Sequence, residues 1–223
     1  MLRMNSAFHP ELASSIEKTG IVAVLVVDDA KDAVPLARAL LAGGVNAIEL
    51  TLRTPAALDA LREITAAVPE VIAGVGTILT AGQVQQAVEA GASFGVAPGL
   101  NPQVLSAARE AGLSFAPGIL TPSDIEAALE HDCKLLKFFP AEPSGGLAYL
   151  KAMSAPYAHL GLRFIPLGGL NAKNMAAYLA DTSVAALGGS WLAPRDLIKA
   201  GHWEKITALS AEAVQIIQAT RQK

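Results

Sequence analysis

The sequence predicts an α/β protein, a (β/α)8 TIM barrel with an additional N-terminal helix, formed by residues 1–223 as one domain. Three observations carry this reading. Eight short β-branched or apolar runs alternate with Ala/Leu-rich stretches of helical spacing. Their starts lie roughly 20 to 28 residues apart, room for one strand and one returning helix. No run has the character of an edge strand, and the turn after the first lacks a G-x-G-x-x-G fingerprint. A closed ring of parallel strands therefore fits better than an open dinucleotide-binding sheet.

Taken in order, a helix of about Pro10 to Thr19 precedes the first strand candidate and is placed to plug the barrel floor. Strand candidates begin near Ile21 (IVAVLVV), Val45 (VNAIEL), Val71 (VIAGV), Ser93 (SFGVA), Leu113 (LSFAP), Lys134 (KLLKFF), Leu162 (LRFIP) and Val184 (VAAL). Thr54-Pro55, Asn101-Pro102 and Thr121-Pro122 each read as a capping residue followed by proline at the first helical position. Thr80 with Gln83 is a capping-box pattern. Gly43, Gly91 and Gly112 stand where helices end and a left-handed residue is wanted.

Composition narrows the function classes. Hydrophobic residues make up 52% of the 223 and charged residues 17%, enough apolar content for a large core and too little charge for disorder. The net charge is −3 and the basic residues are scattered, so nucleic-acid binding has no electrostatic footprint. The longest apolar run, Ile21 to Val27, is too short to span a bilayer. The N-terminus, MLRMNSAFHPE, lacks the apolar centre of a secretory signal. A single cysteine, Cys133, excludes an intramolecular disulfide framework, and it and four isolated histidines offer no metal cluster. The expectation is a cytoplasmic protein without metal, cofactor, nucleic-acid or membrane partner.

In a barrel the active site gathers at the C-terminal ends of the strands, so polar residues inside apolar strands are informative. In Ala47-Ile48-Glu49-Leu50-Thr51, alternation sends Ile48 and Leu50 toward the helices and Ala47, Glu49 and Thr51 inward. An inward glutamate is costly unless paired or functional. In Lys134-Leu135-Leu136-Lys137-Phe138-Phe139, Lys134 starts the strand, whereas Lys137 lies near its end with Leu135 and Phe139 on its side. Poor solvation disfavours the ammonium form, and a free amine is what Schiff-base chemistry needs. A Glu49–Lys137 pair that only closes the interior would share the same geometry. Gly74-Val75-Gly76-Thr77 lets backbone approach a small ligand or serves tight packing. After the last two strands come Gly168-Gly169 and Gly188-Gly189-Ser190, which expose backbone N–H groups and a hydroxyl where barrels bind phosphate.

Several stretches together resemble the bacterial KDPG/4-hydroxy-2-oxoglutarate aldolase family, KDPG being 2-keto-3-deoxy-6-phosphogluconate. They are Ala42-Gly43-Gly44, Glu49-Leu50-Thr51-Leu52-Arg53-Thr54, Gly74-Val75-Gly76-Thr77, Pro98-Gly99-Leu100, Pro117-Gly118, Lys137-Phe138-Phe139-Pro140-Ala141-Glu142, Gly168-Gly169 and Gly188-Gly189-Ser190-Trp191. The resemblance implies a metal-free class I aldolase, typically a homotrimer, acting on a 2-oxo acid with a phosphorylated sugar-acid tail. It implies Lys137 as the Schiff-base lysine, Glu49 as general acid/base, and Arg53 and Thr77 as holders of the carboxylate. Phe139, Pro98 and Leu167 would line the substrate, with Gly168, Gly169, Gly188, Gly189 and Ser190 on the phosphate. The family usually has threonine where this chain has Leu167, and a galactonate-derived branch has an apolar residue there. The sugar acid thus stays open between phosphogluconate-derived, phosphogalactonate-derived and 4-hydroxy-2-oxoglutarate substrates. Two rivals share the glycine loops: a phosphosugar isomerase or synthase barrel, and a non-catalytic binder of a phosphorylated ligand. The first gives no reason for a lysine among phenylalanines, and the second predicts ligand-induced stabilisation without release of pyruvate.

Overall fold

The computed structural model describes residues 7–221; the first six residues of the stretch read for a secretory signal lie outside them. Helix α1 (Pro10–Thr19) leads into β1 (Ile21–Leu25), α2 (Ala33–Ala42), β2 (Ala47–Thr51), α3 (Ala57–Ala67), β3 (Ile72–Gly76), α4 (Ala81–Glu89), β4 (Phe94–Val96), α5 (Pro102–Glu110) and β5 (Ser114–Ala116). Then follow β6 (Gly118–Ile119), α6 (Pro122–Glu130), β7 (Leu135–Phe138), α7 (Gly146–Ser154), β8 (Arg163–Pro166), α8 (Met175–Leu179), β9 (Leu187–Gly189), α9 (Arg195–Lys199) and α10 (Trp203–Arg221). All recorded strand pairs are parallel, as strand–helix alternation requires. The result is a TIM-barrel-like α/β fold.

The strands form a six-stranded sheet, β5-β4-β3-β2-β1-β9, and a three-stranded sheet, β6-β7-β8. Two departures from the sequence reading follow from backbone chemistry. The fifth run divides at Pro117, which has no N–H to give the ladder. The last strand starts at Leu187 rather than Val184, because Val184 and Ala185 first engage β8: the Ala185 N–H donates to the Phe164 carbonyl at 2.9 Å. Only from Leu187 does the chain turn to β1.

Strand alternation sorts the apolar side chains into two cores. Ile48, Leu50, Leu136 and Phe138 join the larger one between strands and helices. Ala47, Phe94, Val96, Leu135, Ile165 and Leu167 form the smaller, inner one, which Phe8 and Ile16 of the N-terminal segment complete. Phe8 packs on Phe94 with ring centroids 6.2 Å apart.

Thr80 and Thr121 cap α4 and α6 in capping boxes, and Asn101 caps α5 ahead of Pro102. Thr54 does not cap α3, which starts only at Ala57; its hydroxyl donates instead to the Val27 carbonyl and ties the second strand's end to the first's. Gly91 and Gly112 are left-handed, as expected, but Gly43 has φ −82° and Gly44 takes the left-handed role. Gly43 is needed for another reason: a Cβ there would overlap Ser210 of α10, which packs on α2. Cys133 is a buried hydrophobe whose thiol is pushed up to about 12, chiefly by desolvation and then by Asp132. Among the described residues no helix is long and apolar enough to cross a membrane.

Candidate active site

Glu49 sits in the middle of β2, between Val24 of β1 and Gly74 of β3. Its side chain points into the inner core and is 3% exposed. Lys137 sits in β7, between Gly118 of β6 and Ile165 of β8. The Lys137 Nζ donates to Glu49 Oε1 at 3.0 Å, so the two groups meet across the interior and join the two sheets. The Phe139 ring stands beside the amine, its centroid 5.7 Å from Nζ.

A small cavity, about 10 Å³, lies at this pair, lined by Val22, Glu49, Phe94, Val96, Lys137, Ile165, Leu167 and Gly188. Apart from the pair itself the lining is apolar, so charge on either group is poorly screened. Four of these residues, Val22, Phe94, Val96 and Ile165, escaped the sequence reading. The signal was there: within β4, Phe94 and Val96 share one face by simple alternation.

Four of the glycines make room for the protein's own side chains, the packing role that the sequence left open for Gly74 and Gly76. A Cβ on Gly76 would overlap the Glu49 carboxylate, and one on Gly74 would overlap the Phe94 ring. Gly188 leaves space for the Leu167 side chain and Gly189 for the Trp191 ring. Gly188 and Gly189 also lie in β9, opposite Val22 and Ala23, rather than in the loop after it. Leu167 is not a loop residue in solvent either. It is 5% exposed, its N–H donates to the Phe138 carbonyl, and it bridges to Gly188.

The remaining residues lie around the strand ends. Arg53 is exposed two positions beyond β2, its guanidinium without a protein partner among the described residues. Thr77, directly after β3, has φ +61°, a strained conformation for a β-branched residue. Pro98 is half-buried after β4, and its carbonyl occupies the space that a Cβ on Gly118 would need. Gly168 and Gly169 are both left-handed, at φ +97° and +82°, and their N–H groups have no protein acceptor among the described residues. Ser190 is exposed directly after β9, its hydroxyl without a protein partner among the described residues. The structure thus brings Lys137, Glu49, Phe139, Leu167 and Gly188 together inside, with Arg53, Thr77, Pro98, Gly168, Gly169 and Ser190 on the rim.

An amine and a carboxylate in contact inside a parallel α/β fold define a class: a TIM-barrel-like protein with a buried lysine–carboxylate pair at its centre. Comparison with known proteins makes this particular. The family model described as KDPG and KHG aldolase matches residues 12–209. The KHG/KDPG aldolase of Escherichia coli K12 is 46% identical over 204 residues, covering 91% of this chain and 95% of that protein. Among solved structures, the KDPG aldolase of Legionella pneumophila, with pyruvate captured as a covalent carbinolamine intermediate, is similar at 37% identity and a TM-score of 0.86, covering 90% of this chain and 97% of its own. The 2-keto-3-deoxy-6-phosphogluconate aldolase of Zymomonas mobilis ZM4 with 3-phosphoglycerate is similar at 39% identity and 0.83, covering 91% and 94%. The chain belongs to the KDPG and KHG aldolase family, Schiff-base carbon–carbon lyases.

Proposed function

We propose that this chain cleaves KDPG to pyruvate and glyceraldehyde 3-phosphate, and 4-hydroxy-2-oxoglutarate to pyruvate and glyoxylate, through an imine on Lys137. The observation that carries the reading is the buried contact between Lys137 Nζ and Glu49 Oε1, 3.0 Å apart with side chains 7% and 3% exposed.

Glu49 takes a proton from Lys137, and the freed amine attacks the 2-oxo carbon. The carbinolamine loses water with the proton that Glu49 returns, leaving an iminium. The C3–C4 bond then breaks: the C4 hydroxyl gives up its proton, the aldehyde departs, and the electron pair settles in an enamine. Protonation of the enamine at C3 and hydrolysis of the resulting iminium release pyruvate and restore the amine. Glu49, directly or through a water, serves each proton transfer and offsets the iminium charge. Arg53 and Thr77 hold the carboxylate, which fixes the reacting carbon. Gly168, Gly169, Gly189 and Ser190 receive the phosphate, a role that the two free glycine N–H groups and the free hydroxyl support. Phe139, Pro98 and Leu167 shape the passage between.

A second substrate reading, the phosphogalactonate-derived acid, rests on Leu167, an apolar lining residue that offers no hydrogen bond to the sugar chain. Borohydride reduction with pyruvate tests the mechanism. A pyruvyl adduct on Lys137 is expected, and an unmodified Lys137 would refute it. Pyruvate release over the three acids, coupled to lactate dehydrogenase, ranks the substrates.

We also infer that residues 1–223 act as one domain in which the two sheets close into a single eight-stranded barrel. The β8–β9 bridges at Phe164 and Leu167 and the Lys137 N–H bond to the Pro117 carbonyl support this. The active form is read as a cytoplasmic homotrimer. Exposed Leu79, two residues before α4, and Val88, in the last turn of α4, are apolar groups that such an interface would cover; light scattering of the purified chain tests it.

A further inference from the structure

We propose that Glu142, with Tyr178, is a positioning residue that holds the Gly168–Gly169 loop in its phosphate-receiving shape. The inference rests on the phosphate role given to that loop above.

Three carbonyls in a row are held, two by the segment after β7 and one by the residue before α8. The Ala141 N–H donates to the Leu167 carbonyl at 2.7 Å, the Glu142 N–H to the Gly168 carbonyl at 3.0 Å, and Asn174 Nδ2 to the Gly169 carbonyl at 3.2 Å. With the carbonyls engaged, the left-handed pair Gly168 and Gly169 keeps its N–H groups without a protein acceptor among the described residues. The Glu142 side chain supplies the wall behind this loop: a Cβ added to Gly169 would stand 2.6 Å from Glu142 Cβ.

A carboxylate beside a phosphate loop would repel its ligand unless it is turned away. Glu142 is turned away. Its Oε1 accepts the Tyr178 hydroxyl proton, and Tyr178 is a buried residue of α8. Burial, and after it the Glu142 bond, raises the Tyr178 phenol above its ordinary range, so it remains a donor at any working pH. Glu142 thus links the segment after β7, which follows Lys137, to the loop after β8, and α8 fixes its direction. The neighbouring Gly146 leaves room for this carboxylate, since a Cβ there would come within 3.0 Å of Oε1.

The test compares aldol synthesis from pyruvate with glyceraldehyde 3-phosphate and with unphosphorylated glyceraldehyde, in the full chain. For Glu142→Ala, kcat/KM with the phosphorylated aldehyde should fall about tenfold more than with the unphosphorylated one, the scale of one charge-assisted hydrogen bond. The loss should appear in KM rather than kcat. Glu142→Gln, which keeps an acceptor for Tyr178, should recover most of it. Tyr178→Phe should show part of the same selectivity and add little in the Glu142→Ala background. Ser190→Ala is the reference for the phosphate site. If Ser190→Ala is selective and Glu142→Ala lowers both reactions equally, the positioning role is wrong and the phosphate site stands. If neither is selective, the phosphate site and the inference fall together.

Discussion

Two ion pairs near the strand ends of this molecule have the same chemistry and opposite surroundings. Lys137–Glu49 lies in the inner core, with side chains 7% and 3% exposed, on two strands whose apolar neighbours leave it little water. Asp28 lies beyond β1 and is gripped from outside by α9: Arg195 Nε donates at 2.7 Å and Nη2 to the other oxygen, with Lys199 at 3.3 Å. Arg195 is half exposed. The partly buried Asp28 carboxylate is held down to about 2, first by the Arg195 bond, and remains an anion whatever the chemistry nearby. The buried pair has no such escape to solvent. Removing two charges from water costs more than their attraction returns unless the geometry is excellent and further hydrogen bonds satisfy both groups. The contrast separates a partly exposed pair that fastens two elements from a buried one that the proposed mechanism uses to pass a proton.

The largest effect should come from erasing the buried pair. Lys137→Met with Glu49→Leu should abolish pyruvate release and borohydride trapping, yet leave the fold as stable or about 1–4 kcal/mol more stable in urea unfolding. A marked loss of stability would make the pair a structural strut and dissolve the contrast. Next, Glu49→Gln should lower kcat by about 10²–10⁴-fold, the usual yield of acid–base catalysis, while some adduct with pyruvate still forms. Normal turnover would take Glu49 out of the mechanism.

Gly76→Ala should come third. Its Cβ would displace the Glu49 carboxylate while leaving both ionisable groups present. A loss of about 10²-fold in kcat is expected from misplacement alone; wild-type kinetics would mean that the 3.0 Å contact is not needed. Asp28→Asn should be smallest, with activity close to wild type at neutral pH. The folded Asp28 titrates near 2 against an ordinary 3.8, so its pairing contributes stability above about pH 4 and loses it as the pH falls toward 2. Acid unfolding followed by circular dichroism should therefore be less steep in Asp28→Asn over that window. An identical acid transition would show that the exposed pair fastens nothing.

Much of the fold was legible because it is written locally. Asn101, Thr121 and Thr80 cap the helices they precede, since a side chain needs only its own next turn as partner. Thr54 has the same local pattern but caps no helix: α3 starts only at Ala57, and the Thr54 hydroxyl donates to the Val27 carbonyl, 27 residues away. The glycines before and after the strands were equally visible, but their reasons were not. Gly43 yields to Ser210, Gly76 to Glu49 and Gly188 to Leu167, and each neighbour comes from another strand or helix.

By itself the sequence determined the strand–helix alternation, the inward direction of Glu49 and Lys137, and the chemical oddity of both in apolar strands. Those properties depend on a period of two and on residue type, which no distant contact alters. Only the tertiary structure decided that the two side chains, 88 residues apart, meet at 3.0 Å. It also put Gly188 and Gly189 inside a strand and turned Glu142 toward Tyr178. These are matters of which element lies opposite which, and parallel pairing sets that only when distant segments of the chain have come together.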